Sequence, residues 1–275
     1  MKRVFIFLAV VLLAGCAALQ PPGETPADLD RFETLPTDGR VRYEPGAQSV
    51  AERVASLLPA AIAQVEAAHY QPFLLPVVVN ICGTNACFEE NVPGGARYTA
   101  AVIYENRLLL APRLFDREPA RLYPILVHEL SHLHLGQRLG HYTLHIPVWF
   151  HEGLASLAAA SGGADLVSEE DARRAIVAGN YFLPEAVHDD TRRIYADHWR
   201  LRVAMLYRQS MMLLSELRAS GEKQFHALLD SLQQRVPFDA AFSSAFGTGA
   251  LELAQRYFDG IRCKELECAA PAAAP

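Results

Sequence analysis

Residues 126–134 read LVHELSHLH, a run in which three histidines and one glutamate interrupt leucine and valine. The run lies within a longer stretch, 119–138, whose apolar residues recur at helical spacing, so a buried helix is predicted. Titratable side chains in such a helix are either histidines of an ordinary core or groups that together bind something. Residues elsewhere in the chain decide between these two interpretations.

The pentapeptide HELSH places His128 and His132 one helical turn apart. On a helix they are separated by about 6 Å along the axis and rotated by about 40°, so both imidazoles can reach one ion. The intervening Glu129 projects beside that ion and can take a proton from a water molecule bound there. Two neutral nitrogen ligands suit Zn²⁺, so the motif predicts a zinc site. A chance match in a purely structural helix is the alternative.

A catalytic zinc needs three protein ligands and one position for water, so a third ligand is the sharper test. The extended motif HExxHxxGxxH fails here, because Leu135 stands at the glycine position and Arg138 at the third histidine. The next predicted helix opens with PVWFHEGLAS, residues 147–156, and carries Glu152 in its first turns. Glu152 is therefore the candidate third ligand.

HExxH followed by an aromatic-flanked EGLA resembles the gluzincin metallopeptidases, and PVWFHEGLA is similar to the peptidase MA-like group of bacterial proteins. The resemblance covers about residues 118–260. It implies a zincin-like fold and zinc-dependent hydrolysis of a peptide or protein substrate, with Glu129 as the general base. The zinc ligands that it implies are His128, His132 and Glu152. Ser156 departs from the pattern, because some gluzincins carry an acidic residue there that orients the first histidine.

Gluzincins often use a downstream tyrosine or histidine to stabilise the oxyanion, and the resemblance assigns this catalytic role to Tyr207. The alternative for Tyr207 is a buried tyrosine that packs beside the metal helix. Two other histidines, His134 and His151, flank the implied ligands and are interpreted as surface groups or as groups that orient a ligand. The rival candidates for the oxyanion role are Tyr195, His188 and His198.

The N-terminus has the composition of a signal peptide: Lys2 and Arg3 precede an apolar stretch, 4–14, too short to span a bilayer. The following LAGC resembles the lipobox of bacterial lipoproteins, which implies a cleaved signal peptide, 1–15, and lipidation of Cys16. Ala17 after the cysteine resembles outer-membrane lipoproteins, so we expect a lipid-anchored envelope protein facing the periplasm. An ordinary secretory signal is the alternative.

The other four cysteines form two CxxxxC pairs. An oxidising periplasm favours the disulfides Cys82–Cys87 and Cys263–Cys268, with a four-cysteine zinc site as the alternative. The net charge of -6 and pI near 5.9 provide no basic surface for nucleic acid.

Residues 16–40 are rich in proline and acidic residues and predict a flexible tether, whereas 269–275 is a low-complexity tail. Between them, 41–268 predicts a single α+β domain. Its small, mostly antiparallel sheet lies in the N-terminal half, around a hairpin at Glu105-Asn106, and packs on a mainly helical C-terminal half. The loop-like stretches of 161–195 are candidates for a lid over the site. A catalytically inactive binding or scaffolding lipoprotein remains the alternative function, and the oligomeric state stays open.

Overall fold

The computed structural model of the chain describes residues 29–92, 99–104, 106–184 and 196–266. Several predicted features lie outside these residues, so their predictions stand as made from the sequence. They are the signal peptide, the tail 269–275, Cys16, Cys268, His188 and Tyr195.

A five-stranded sheet occupies the N-terminal half, in the spatial order β1-β2-β3-β5-β4. The two outer pairings are antiparallel and the two inner ones are parallel, so the sheet is mixed and the expectation of a mostly antiparallel sheet is corrected. The parallel β2–β3 pair arises because a helix connects these strands as a crossover. The strands are β1 (Glu33–Thr34), β2 (Val41–Tyr43), β3 (Val78–Ile81), β4 (Ala101–Tyr104) and β5 (Arg107–Leu110).

Helices make up most of the remainder of the described chain. The N-terminal half contains α1 (Gln48–His69), α2 (Asn85–Asn91) and α3 (Arg113–Asp116). The C-terminal half contains α4 (Leu122–Leu139), α5 (Val148–Ala158), α6 (Glu169–Val177), α7 (Val203–Ser220), α8 (Glu222–Gln233), α9 (Phe238–Phe246) and α10 (Ala250–Glu265). This arrangement agrees with the predicted α+β class, with its sheet in the N-terminal half.

Helix α4 is the central element, because every residue from 125 to 135 is buried. It contacts α1 and the strands β4 and β5 on one side and α5 on another. A helix that is buried all round lies inside a core rather than on its surface. The HELSH motif is therefore placed between the sheet and the helical half of the molecule.

Helix α5 reaches α4 because it packs closely against α7. Gly153 makes this approach possible: a Cβ at that position would lie 2.6 Å from Cδ1 of Leu214 and 3.0 Å from Cβ of Ser210. A larger residue would push α5 away from α7, and Glu152 would move with it. The close packing of α5 against α7 thus requires glycine at position 153.

Two boundaries differ from the sequence-based expectations. Leu35 is 1% exposed and β1 pairs with β2, so the packed part of the chain begins before the tether boundary predicted at residue 40. Apolar residues at helical spacing over 196–219 predict one helix, but α7 begins only at Val203.

Cys82 and Cys87 form the predicted disulfide, which joins the end of β3 to α2, with Cα atoms 5.5 Å apart. An oxidised pair supplies no thiolates, so the alternative four-cysteine zinc site is wrong. Cys263 is exposed, and its predicted partner lies outside the described residues. Among the helices that the structure describes, none is both long and apolar enough to cross a membrane.

The Cys82–Cys87 bond closes a short loop with a sequence separation of 5. Replacing both cysteines by alanine should lower the free energy of unfolding by about 2 kcal/mol, because the unfolded chain regains the conformations that the loop excludes. Urea denaturation measures the difference. Reduced wild-type protein is the matched control and should approach the variant, and equal stability of all three forms would contradict this account.

Candidate metal centre

His128, Glu129 and His132 come from α4, and Glu152 comes from α5. The side chains of His128, His132 and Glu152 converge, and the structure identifies them as a buried group able to hold a metal ion. All four residues are at most 4% exposed. For His128 and His132, a metal-binding group is therefore a better interpretation than histidines of an ordinary core.

The spacing of the three ligand atoms fits a zinc ion. The two Nε2 atoms of His128 and His132 are 3.1 Å apart, and Oε2 of Glu152 lies 3.3 Å and 3.5 Å from them. Ligands at the zinc bond lengths of about 2.0–2.1 Å and at tetrahedral angles are separated by about 3.3 Å. The donor set is also the two-histidine, one-carboxylate set of catalytic zinc sites.

A backbone carbonyl orients His128. Its Nδ1 lies 2.9 Å from the carbonyl oxygen of Gly162, and because a carbonyl only accepts, Nδ1 carries the proton and donates. The lone pair of the ring is thereby left on Nε2, the atom that faces His132 and Glu152. Ser156, at the position where some gluzincins carry an acidic residue, is fully buried, and its Oγ has no hydrogen-bond partner in the described part of the chain.

A histidine orients His132 in a similar way. Nδ1 of His132 lies 3.2 Å from Nε2 of His151, the residue that precedes Glu152 on α5. His151 thus contacts the ring nitrogen of His132 that faces away from the ligand cluster. This contact matches the sequence-based interpretation of His151 as a group that orients a ligand, since such partners fix ring orientation and tautomer.

Tyr207 lies on α7 beside His128, and the two rings stack with centroids 6.0 Å apart. Its side chain is 2% exposed, so it both packs next to the metal helix and lies close to the ligands. The ring of His198 packs edge-on against that of Trp199. The structure therefore brings Tyr207, the preferred candidate, next to the cluster.

His134 is fully buried and is not one of the three residues of the cluster. Its Nε2 donates to the carbonyl oxygen of Gln71 at 2.8 Å, and its ring packs against that of His69, with centroids 4.4 Å apart. His69, which the sequence did not single out, lies 2.7 Å from the Ser131 hydroxyl through Nε2. These two histidines join α4 to α1 and supply no ligand.

Burial shifts both of these imidazoles towards the neutral form. Desolvation lowers the pKa of His134 to about 4, against the opposing hydrogen bond to Gln71. Desolvation, with a smaller contribution from the neighbouring His134, holds the pKa of His69 well below its usual range. The histidines that join α1 to α4 are therefore neutral.

Sequence reasoning missed the role of the 161–167 segment, a turn region that connects α5 to α6. The double glycine in SGGAD predicted a loop, and Gly162 and Gly163 are buried against α4. The pair of adjacent glycines is the sequence feature that could have indicated this contact, because glycine allows a backbone to approach another element closely.

No protein-family model, no curated protein and no solved structure matches this chain.

The ligand cluster predicts one tightly bound divalent ion. Zinc at a free concentration a thousandfold above its Kd should raise the free energy of unfolding by about 4 kcal/mol, because the ion binds only the folded chain. Elemental analysis after desalting and urea denaturation measure the two effects. Glu152→Gln should abolish the stoichiometric binding, whereas Glu216→Gln, at an exposed position on α7, should leave it intact. Less than half an equivalent in wild-type protein would refute the site.

His69 predicts a pH dependence of stability. In the unfolded chain its imidazole takes up a proton below about pH 6.5, whereas the folded form stays neutral, so the unfolded state binds more protons. The free energy of unfolding should therefore be highest above pH 6.5 and fall with decreasing pH until the folded-state pKa is reached, by up to about 1.4 kcal/mol per pH unit from this group. Urea denaturation of chelator-treated protein at several pH values measures the slope.

The comparison variant is His69→Gln, which keeps a polar group near Ser131 but does not titrate. Its stability should fall less steeply below pH 6.5 than that of the wild type. Parallel pH profiles for the two proteins would show that His69 does not contribute.

Proposed function

We propose that this chain is a zinc-dependent metallopeptidase of the gluzincin type, carried on a lipid anchor in the bacterial cell envelope. One observation supports the proposal most strongly: His128, His132 and Glu152 converge in a buried cluster with zinc-like spacing. Glu129, the residue that the motif requires as a base, lies on the same helix and is fully buried. A structural helix has no need for this combination.

Each residue then has a chemical role. His128, His132 and Glu152 would hold the ion, which would supply a Lewis acid beside the peptide carbonyl and the attacking water. Glu129 accepts the proton of that water on its carboxylate and passes it to the nitrogen of the leaving amine. The low exposure of the cluster keeps its charges in a region of low dielectric, where their effect is stronger than in water.

The position of Tyr207 supports its assignment as the oxyanion donor. Its ring stacks on that of His128, so the phenol belongs to the immediate surroundings of the ligands. A phenol hydroxyl can donate a hydrogen bond to the oxygen that becomes negative when the carbonyl is attacked. Loss of one such donor typically costs about 10²–10³ in kcat.

The compartment follows from two features. The sequence around Cys16 resembles a lipobox, so acyl chains on Cys16 would attach the chain to a membrane. The Cys82–Cys87 disulfide supports an oxidising compartment such as the periplasm, because disulfides persist there and are rare in the cytosol. We propose that the domain faces the periplasm from the outer membrane.

Replacing the base tests the enzyme directly. Glu129→Gln should lower kcat/KM for peptide cleavage by about 10²–10⁴, because the amide cannot accept the proton of the attacking water. Cleavage of a mixed peptide library, followed by mass spectrometry, measures the rate. The variant should still bind one equivalent of zinc, and Glu216→Gln should cleave like the wild type.

The same experiment separates the enzyme from its alternative. If zinc-loaded wild type and Glu129→Gln leave the library with the same cleavage profile, the chain is a gluzincin-like binding or scaffolding protein rather than a peptidase.

A further inference from the structure

The contact between His128 and the Gly162 carbonyl requires the backbone of the 161–167 loop to lie directly on α4. Gly163 has a φ of +81°, and a Cβ there would lie 2.6 Å from Cε1 of His128. A Cβ on Gly162 would collide with the carbonyl oxygen of Pro124 on α4. Both positions therefore need glycine, and the loop is in van der Waals contact with the ring that it orients.

Glycine permits this conformation but does not hold it, because glycine gives the chain more conformational freedom than any other residue. A restraint from outside the loop is needed to keep the Gly162 carbonyl in place. On the α7 side that restraint is Arg208.

The guanidinium of Arg208 binds the loop at three points. Its Nε donates to the Val167 carbonyl at 2.7 Å, Nη2 donates to the Ala164 carbonyl at 3.0 Å, and Nη1 donates to the Ser161 hydroxyl at 3.2 Å. One rigid, planar group thus joins the beginning, the middle and the end of the loop. Arg208 also follows Tyr207, whose ring stacks on His128.

Burying the charged side chain of Arg208 at this position costs free energy. Its side chain is 8% exposed, and within the described part of the chain its hydrogen bonds go to carbonyl, hydroxyl and thioether groups rather than to a carboxylate. Burial lowers the pKa of Arg208, with Glu169 and Asp165 acting in the opposite sense. An apolar residue of similar volume would stabilise the fold equally well. What the guanidinium adds is a fixed position for the loop.

A second arginine binds the opposite side of the same loop. Arg121, just before α4, forms a two-point ion pair with Asp165, at 2.6 Å and 3.1 Å. This pair is partly exposed, so it contributes less than a buried contact and is weakened by salt. Arg208 is the buried restraint of the two.

We propose that Arg208 is a positioning residue for the metal centre: it fixes the 161–167 loop so that the Gly162 carbonyl holds Nδ1 of His128 and directs Nε2 towards the ion. This inference rests on the proposed function for the zinc itself. The link from Arg208 to the orientation of His128 exists without the ion.

Two measurements on purified Arg208→Met test this. Zinc Kd, from competition with a fluorescent chelator far below the unfolding temperature, should rise about 10–100-fold, as for other groups that orient ligands. NMR of the metal-free protein should show a slowly exchanging His128 Nδ1–H in the wild type and its loss in the variant. A merely structural role would lower the stability of the metal-free protein but leave both readouts unchanged.

The matched control is Arg218→Met, which removes an arginine from the same helix, α7, where Arg218 pairs with Glu222. It should keep the wild-type Kd and the His128 signal. If Arg208→Met does not fold, Arg208→Lys replaces it, since lysine keeps the charge but lacks the planar fork, and a smaller loss in both readouts is expected.

A folded Arg208 variant with wild-type zinc affinity and an intact His128 signal would overturn the inference. If the wild type binds no zinc, the proposed function fails instead. The His128 Nδ1–H signal then still decides whether Arg208 orients this residue.

Discussion

Desolvation of titratable groups is the constraint on which the rest of this structure depends. Helix α4 carries His128, Glu129 and His132 into a region between the sheet and the helical half, where water is excluded. Each polar atom buried there costs free energy unless it has a partner. The surrounding elements supply partners for both ring nitrogens of each proposed histidine ligand, and this requirement explains where α5 and the 161–167 loop lie.

The two faces of α4 meet the requirement differently. Towards α1, Nε2 of His134 donates to a carbonyl and Nε2 of His69 contacts a hydroxyl. Nδ1 of each ring is buried with no hydrogen-bond partner among the described residues, and both imidazoles stay neutral as polar connectors of the core. Towards α5, the nitrogen atoms of His128 and His132 converge on a carboxylate with spacing that fits zinc. The same residue type thus has two roles on one helix, and the partner on the opposing element determines which role applies.

The proposed gluzincin relationship rests on short motifs, and this chain departs from that pattern at Ser156. His128 nevertheless has a partner for Nδ1, the carbonyl oxygen of Gly162, where that pattern would supply an acidic side chain. A carbonyl carries no net charge, so it orients the imidazole while adding less electron density to it than a carboxylate would. The same tautomer is obtained with a different electrostatic environment.

Interactions within one helix, or within one hairpin, were predictable from the sequence. The spacing of His128 and His132, the hairpin of β4 and β5, and the glutamate at the start of α5 are local patterns, because helix and strand geometry alone determine which side chains share a face. The Cys82–Cys87 pairing was predictable for the same reason, since few residues separate the two thiols.

Tertiary structure alone decided the mixed order of the sheet, the His132–His151 contact, and the restraint of the Gly162 carbonyl by Arg208. Every residue has a carbonyl, and no sequence pattern marks the one that will meet a particular imidazole. A crossover helix likewise leaves no trace in the strands that it makes parallel. The amino-acid sequence determined which groups could bind an ion, and packing between distant elements decided how those groups are held, because partners of buried polar atoms are set by proximity in space.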